Sequence, residues 1–197
     1  MAKTAATLVE RRTFSNLKAI IYTPWVTDTD GSLKVGDTYY DLSDIVADTT
    51  SVEQEDNEVN TIEHEFSGSP LVENISLGSK TFTTECIDMQ NEVLVGMFGW
   101  DKDANGNVFA PKAYKPLYCQ IEMQFNSTED IVVLPKVLMN SKAVFASMKT
   151  DVSRATLAGT AYPAFVNAGG ETYETDMAII KKPAEGDITY TVSATKE

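Results

Sequence analysis

The residues Leu117 to Phe125, LYCQIEMQF, alternate strictly: Leu117, Cys119, Ile121, Met123 and Phe125 share one parity, Tyr118, Gln120, Glu122 and Gln124 the other. An apolar period of two marks a half-buried strand and excludes an amphipathic helix, whose apolar positions recur at three and four residues. Further strand-like stretches run from Lys18 to Trp25, Leu33 to Tyr40, Leu71 to Leu77 and Thr81 to Ile87. Others run from Ile131 to Leu138, Ala143 to Met148, Ala155 to Ala161 and Ile188 to Val192. Many short strands separated by turns specify a sandwich or a barrel. The expected fold is mainly β, an antiparallel β-sandwich or barrel with one short flanking α-helix.

That helix is read at Met89 to Phe98. Met89, Val93, Leu94 and Met97 form an apolar stripe at helical spacing, Asp88 stands where an N-cap belongs, and Glu92 lies near the positive end of the helix dipole. Gly99 supplies a left-handed stop, while Gly96 weakens the interior. A lone amphipathic helix among strands covers a sheet face or closes the open end of a barrel.

A chain of 197 residues with 43% hydrophobic composition buries a core without staples. Cys86 and Cys119, the two cysteines, lie far apart in no metal or redox spacing and read as small buried hydrophobes. Sixteen basic against 29 acidic residues give a net charge of −13, which opposes nonspecific binding to phosphate backbones or anionic membranes. The opening MAKTAATLVERRTF lacks the apolar core of a secretory signal, and no apolar run is long enough to span a bilayer. The expectation is a soluble protein made in a cytoplasm.

Between Val35 and Ser79 the chain carries no Lys or Arg but many acids, among them Glu53, Glu55, Asp56 and Glu58, whereas the opening segment holds Lys3, Arg11, Arg12 and Lys18. Residues 1–17 read as an N-terminal arm. Residues 18–165 read as one β domain with a long acidic loop, or mobile hairpin, at about 48–70. Residues 166–197, with NAGGE and KKPAEGD, read as a looser C-terminal extension whose final strand, ITYTV, docks on a sheet.

Chemistry finds little support. His64, the one histidine, sits in the acidic stretch IEHEF with no base or nucleophile suggested beside it, and no phosphate-binding glycine loop occurs. Asp101, Asp103, Asn105 and Gly106 in DKDANGNV occupy the first positions of a calcium loop, but Lys112 stands where a bidentate Glu is needed and Pro111 blocks an exiting helix. A turn explains the same letters, as it does Asp28, Asp30 and Gly31 in TDTDGS. No cofactor, metal or catalytic residue is expected.

The order of elements is itself informative: an acidic excursion (SVEQEDNEVNTIEHEF), an extended segment (ENISLGSKTFTTECIDM), a short helix ending in Phe-Gly (QNEVLVGMFG), then the strand LYCQIEMQF and IVVLPKVLMNSKAVFASMKTDVSRATLAGTAYPAF. This resembles the major tail tube protein of long-tailed bacteriophages and prophages, a family related to contractile injection and type VI secretion tubes. The resemblance covers Lys18 to Phe165. It implies a homo-oligomeric structural protein of the virion tail, made in the cytoplasm of a bacterial host, in stacked hexameric rings. DNA would pass through their lumen without specific binding, other tail proteins would be partners, and no membrane would be involved. Within that frame Arg11 and Arg12 are expected to meet Glu53, Glu55, Asp56 and Glu58 of a neighbouring copy. A β-sandwich adhesion or decoration module is the alternative.

Overall fold

The computed structural model describes residues 14–42, 45–63, 70–87, 90–145, 153–181 and 190–195. In chain order the strands are β1 (Leu17–Thr27), β2 (Leu33–Val35), β3 (Tyr40–Leu42), β4 (Ser51–Gln54), β5 (Glu58–Glu63), β6 (Pro70–Ser76) and β7 (Lys80–Cys86). The helix α1 (Asn91–Phe98) follows, then β8 (Asp101–Lys102), β9 (Val108–Phe109), β10 (Tyr118–Phe125), β11 (Asp130–Met139), β12 (Lys142–Val144) and β13 (Arg154–Tyr162). The chain continues through β14 (Ala164–Ala168), β15 (Glu171–Thr175), β16 (Ala178–Lys181) and β17 (Tyr190–Ser193).

Ten strands form one antiparallel sheet along the path β2-β1-β10-β11-β13-β7-β4, with β3 on β1, β12 on β13 and β16 on β11. Among the described residues the path is open from β2 to β4, so the barrel closure admitted by the sequence is not realised; the mainly β, sandwich-like expectation is. The alternating strand LYCQIEMQF becomes β10 in the middle of this sheet. It pairs with β1 (Ile20↔Met123, Tyr22↔Ile121) on one side and with β11 (Met123↔Val132, Ile121↔Leu134) on the other.

Pro135 lies inside central strand β11, where a missing amide proton ordinarily forbids it. The strand changes partner there: β16 pairs with Asp130 to Val133 and β13 with Lys136 to Met139. The register with β10 shifts over the same stretch. Pro135 thus falls between ladders, and its carbonyl accepts a hydrogen bond from the buried indole N–H of Trp25 at 3.0 Å.

One face of the sheet carries the core: Ile20, Tyr22, Phe82, Ile121, Leu134 and Leu157 pack with Val93 and Met97 of α1. The helix lies close because Gly96 has no side chain; a Cβ there would stand 2.9 Å from a ring carbon of Tyr22. The Tyr22 hydroxyl donates to the carbonyl of Glu92 at 3.0 Å, and the Cys119 thiol to that of Gly96 at 3.5 Å. Val93, Leu94 and Met97 are buried as the helical spacing predicts, while Met89 and Asp88 lie outside the described residues. The helix begins at Asn91 with Gln90 in the N-cap position and no side-chain cap. Gly99 ends it at φ 69°, its amide returning to the carbonyl of Leu94.

The second face of the sheet is covered by the chain's C-terminal part. The boundary between 165 and 166 falls inside β14, which with β15 and β17 forms a three-stranded sheet, while β16 joins the large sheet. NAGGE is the β14–β15 turn: Gly169 and Gly170 both take positive φ, 65° and 87°, as a two-residue hairpin loop requires. Lys80 and Asp176 form a partly buried ion pair at 2.7 Å that ties β7 to this region.

Candidate assembly surface

Of the acidic stretch, read as a loop or a hairpin, the described residues hold two strands, β4 and β5. β4 is the last strand on the path of the large sheet, bonded to β7 (Val52↔Phe82, Glu53↔Thr81) and to no other described strand. Among the described residues its outer edge carries no strand, and such an edge is a template on which another chain can add. From there the chain turns into β5, which pairs only with β6 (Glu58↔Ser76, Val59↔Ile75) as a two-stranded hairpin separate from the large sheet.

The root of the hairpin is tightly built. The amide of Glu55 donates to the carbonyl of Ser79 at 2.9 Å, the Ser79 hydroxyl to the Glu55 carboxylate at 2.6 Å, and the amide of Gly78 to the side-chain carbonyl of Asn57 at 3.1 Å. A Cβ on Gly78 would lie 1.9 Å from the Glu55 carbonyl oxygen, so no residue with a side chain fits that crossing without moving the backbone. Just beyond it the apolar residues Val59 and Ile75 face water at 58% and 65% exposure, and Leu77 at 77%. Val59 and Ile75 are direct cross-strand partners, so they stand side by side as one small exposed apolar surface.

Glu53, Glu55, Asp56 and Glu58 are all exposed and follow one another along this edge and into the hairpin. Arg11 and Arg12, their expected counterparts, lie outside the described residues, as does His64. Glu53 in β4, with Glu55 and Asp56 just past the strand, disfavours pairing that edge with the same edge of another copy, since like charges directly opposite are unfavourable.

The two Asp-rich turns are hydrogen-bonded as turns. In the β8–β9 hairpin the Asp103 carboxylate accepts from the amides of Asn105 (2.9 Å) and Asn107 (2.8 Å) and from the Asn107 side chain (2.8 Å). The Asn107 side-chain bond is the largest influence holding its pKa below the usual carboxylate value. Asp101 is paired with Lys115 at 2.8 Å. In the β1–β2 turn Asp30 accepts from the Ser32 amide and hydroxyl, and Asp28 pairs with Lys34 at 3.0 Å.

A buried polar cluster escaped the sequence reading. Alternation assigns Gln120, Glu122 and Gln124 to a wet face, yet Glu122 is only 7% exposed. Its carboxylate accepts from the hydroxyl of Tyr190 in β17 at 2.9 Å and from the amide of Gln124 at 2.7 Å, while the Gln120 amide donates to the Tyr190 oxygen at 2.8 Å. Burial, then the neighbouring Glu122 carboxylate, raises the Tyr190 pKa above its ordinary value. Cys86 and Cys119 are buried and neither is in a disulfide, and burial pushes the Cys119 thiol up to about 12.

No helix among the described residues is long and apolar enough to cross a membrane. Neither the protein-family models nor the curated proteins contain a match to this chain. Among solved structures, the chain is similar to one from the cryo-EM structure of the anti-feeding prophage baseplate, 6-fold symmetrised, at 9% identity and a TM-score of 0.39, covering 88% of this chain and 98% of that one.

Proposed function

We propose that this protein is a structural subunit of a phage tail tube, which self-assembles head to tail into stacked hexameric rings whose lumen passes DNA without binding it. The observation that carries this reading is the pairing of an open β4 edge with a hairpin whose Val59 and Ile75 lie exposed beyond it. Among the described residues of a single copy, nothing pairs with that edge or covers that pair. Glu53 in β4, with Glu55 and Asp56 just past it, disfavours a two-fold contact of the edge with itself, and a heterologous contact closes into a ring or runs on as a filament. Arg11 and Arg12 of a neighbour, set against Glu53, Glu55, Asp56 and Glu58, would fix its register. The net charge of −13 suits a wall along which DNA slides. Such a subunit needs no catalytic site, cofactor or metal.

The test is the variant Val59→Asp with Ile75→Asp. Sedimentation should show a folded subunit that no longer enters the large species formed by the unaltered protein, whether spontaneous or nucleated. Assembly at unchanged extent would remove the hairpin from the contact. A binding module is the second reading, favoured by the exposed aromatic Phe145 (65% exposed), whose ring lies 6.2 Å from that of Trp100; retention of the chain on immobilised glycans, lost in Phe145→Ala, would support it.

A further inference from the structure

In the turn of the β8–β9 hairpin Asn105 is followed by Gly106, the one Asn-Gly step in the sequence. The side-chain amide of an asparagine can be attacked by the backbone nitrogen of the next residue, and a glycine there leaves the nitrogen unshielded and the backbone free to close the ring. Asn105 is exposed, and a Cβ at Gly106 would meet nothing within 4 Å. Among the described residues no hydrogen bond holds the Asn105 side chain. Asn126 and Asn140, also exposed, are followed by serines, whose side chains crowd the attacking nitrogen.

The turn also restrains the attack. The Gly106 amide, which is the attacking group, donates to the Asp103 carbonyl at 3.1 Å. The Asp103 carboxylate accepts from the amides on either side of it, Asn105 at 2.9 Å and Asn107 at 2.8 Å. Ring closure consumes the Gly106 N–H and therefore breaks its bond to Asp103, and the nearby carboxylate opposes the negative charge that the nitrogen gains on losing its proton. The Gly106 carbonyl accepts from the Asn91 side chain at 2.9 Å, which ties the turn to the start of α1.

We propose that Asn105 is a site of spontaneous deamidation, and that Asp103 sets its rate by holding the Gly106 amide in the turn. The Gly106 nitrogen loses its proton and forms a bond to Cγ of Asn105. The Cγ–Nδ2 bond breaks, and Nδ2 takes up that proton and leaves as ammonia. Water then opens the cyclic imide at either carbonyl, its hydroxyl going to the carbon and its proton to the ring nitrogen, to give aspartate or isoaspartate. Both products add one negative charge. The iso form also lengthens the main chain between positions 105 and 106 by one carbon, which pulls the Gly106 carbonyl away from Asn91 and loosens the turn from α1. The inference concerns a turn outside β4, β5 and β6 and stands whether or not copies build a tube.

The test follows every asparagine of the full chain by peptide mass spectrometry during incubation in mildly alkaline buffer made with heavy-oxygen water, which marks oxygen gained in the reaction. The unaltered protein, the same chain unfolded in urea, Asp103→Ala and Asp103→Ser are compared, the fold of each variant being checked by circular dichroism. Ser retains a side-chain acceptor at the head of the turn. Label is expected to accumulate at Asn105 several-fold faster than at Asn126 or Asn140, in two products of equal mass that separate on chromatography. The rate at Asn105 should rise several-fold in urea and in folded Asp103→Ala, with Asp103→Ser between; if Asp103→Ala does not fold, a faster rate in folded Asp103→Ser carries the comparison. An unlabelled Asn105 in the folded protein, or labelling there no faster than at Asn126 and Asn140, would overturn the site. Equal rates in the unaltered protein and the folded Asp103 variants would overturn the role of Asp103.

Discussion

Gly96 of α1 lies directly on the ring of Tyr22, so closely that a Cβ at position 96 would stand 2.9 Å from Cε2 and 3.2 Å from the hydroxyl oxygen. Two effects compete on substitution. Replacing Gly by Ala inside a helix gains about 1 kcal/mol of propensity, and forcing a methyl into a packed core costs about 1–3 kcal/mol. The clash should win, because Tyr22 is fully buried and its hydroxyl is held by the Glu92 carbonyl, leaving the ring nowhere to withdraw. Gly96→Ala is expected to lower stability by about 1 kcal/mol in urea unfolding, and to become neutral or stabilising when combined with Tyr22→Leu. A stabilising effect of the single change would show that helix and sheet are not in this contact.

The Glu122 and Tyr190 pair makes a second prediction, on stability and its dependence on pH. Tyr190→Phe leaves the buried carboxylate and the Gln120 amide each short of a partner, at a cost of about 1–3 kcal/mol. The folded-state pKa of Tyr190 is raised from the ordinary 10.0, so the native state keeps a proton that the unfolded state gives up. The corresponding stability is fully present below pH 10 and is lost as pH rises beyond it toward the folded-state value. Cys119, raised from 9.0 to about 12, acts with the same sign between those two values. Unfolding midpoints measured from pH 8 to 11.5 should fall for the unaltered protein, and less steeply for Tyr190→Phe. Parallel slopes would mean that Tyr190 is not buried against Glu122.

Charge reversal tests the register of the proposed contact. Arg11→Glu with Arg12→Glu should impair polymerisation, and Lys at Glu53, Glu55, Asp56 and Glu58 should restore part of it. Exposed pairs contribute about 0–1 kcal/mol each, so the effect should be largest at low salt and fade as ionic strength rises. Polymers formed to the same extent at every salt concentration would place the contact elsewhere.

Much of the fold was legible because period two survives in strands with one dry face. β1, β7, β10, β11 and β13 all appear where alternation or apolar runs put them, and the helical stripe of Val93, Leu94 and Met97 is buried as read. The acidic stretch reads as a loop or a hairpin without strand bounds, because β4 is a short edge strand that sets only Val52 against the core and β5 belongs to a hairpin outside the large sheet, so neither shows a long apolar alternation. The wet face assigned to β10 failed for another reason: alternation reports side-chain polarity, and Glu122 is polar but satisfied by Tyr190, a partner 68 residues away that no local pattern shows. The Gly169–Gly170 pair is a visible hairpin signal, although the polar segment around it reads as a looser extension. Within the candidate surface, the acids were named from sequence, but the exposed Val59–Ile75 pair and the Gly78 crossing emerge only when β5 and β6 are brought together.

The central claim is that copies of this chain satisfy the β4 edge and the hairpin by joining one another around a hollow axis. Electron microscopy of native particles, or of the purified subunit seeded by its natural nucleator, measures this directly. The account predicts stacked rings of constant bore, with the β5–β6 hairpin of each copy resolved against a neighbour. Copies arranged without a central channel, or with Val59 and Ile75 open to solvent in the assembled particle, would contradict it.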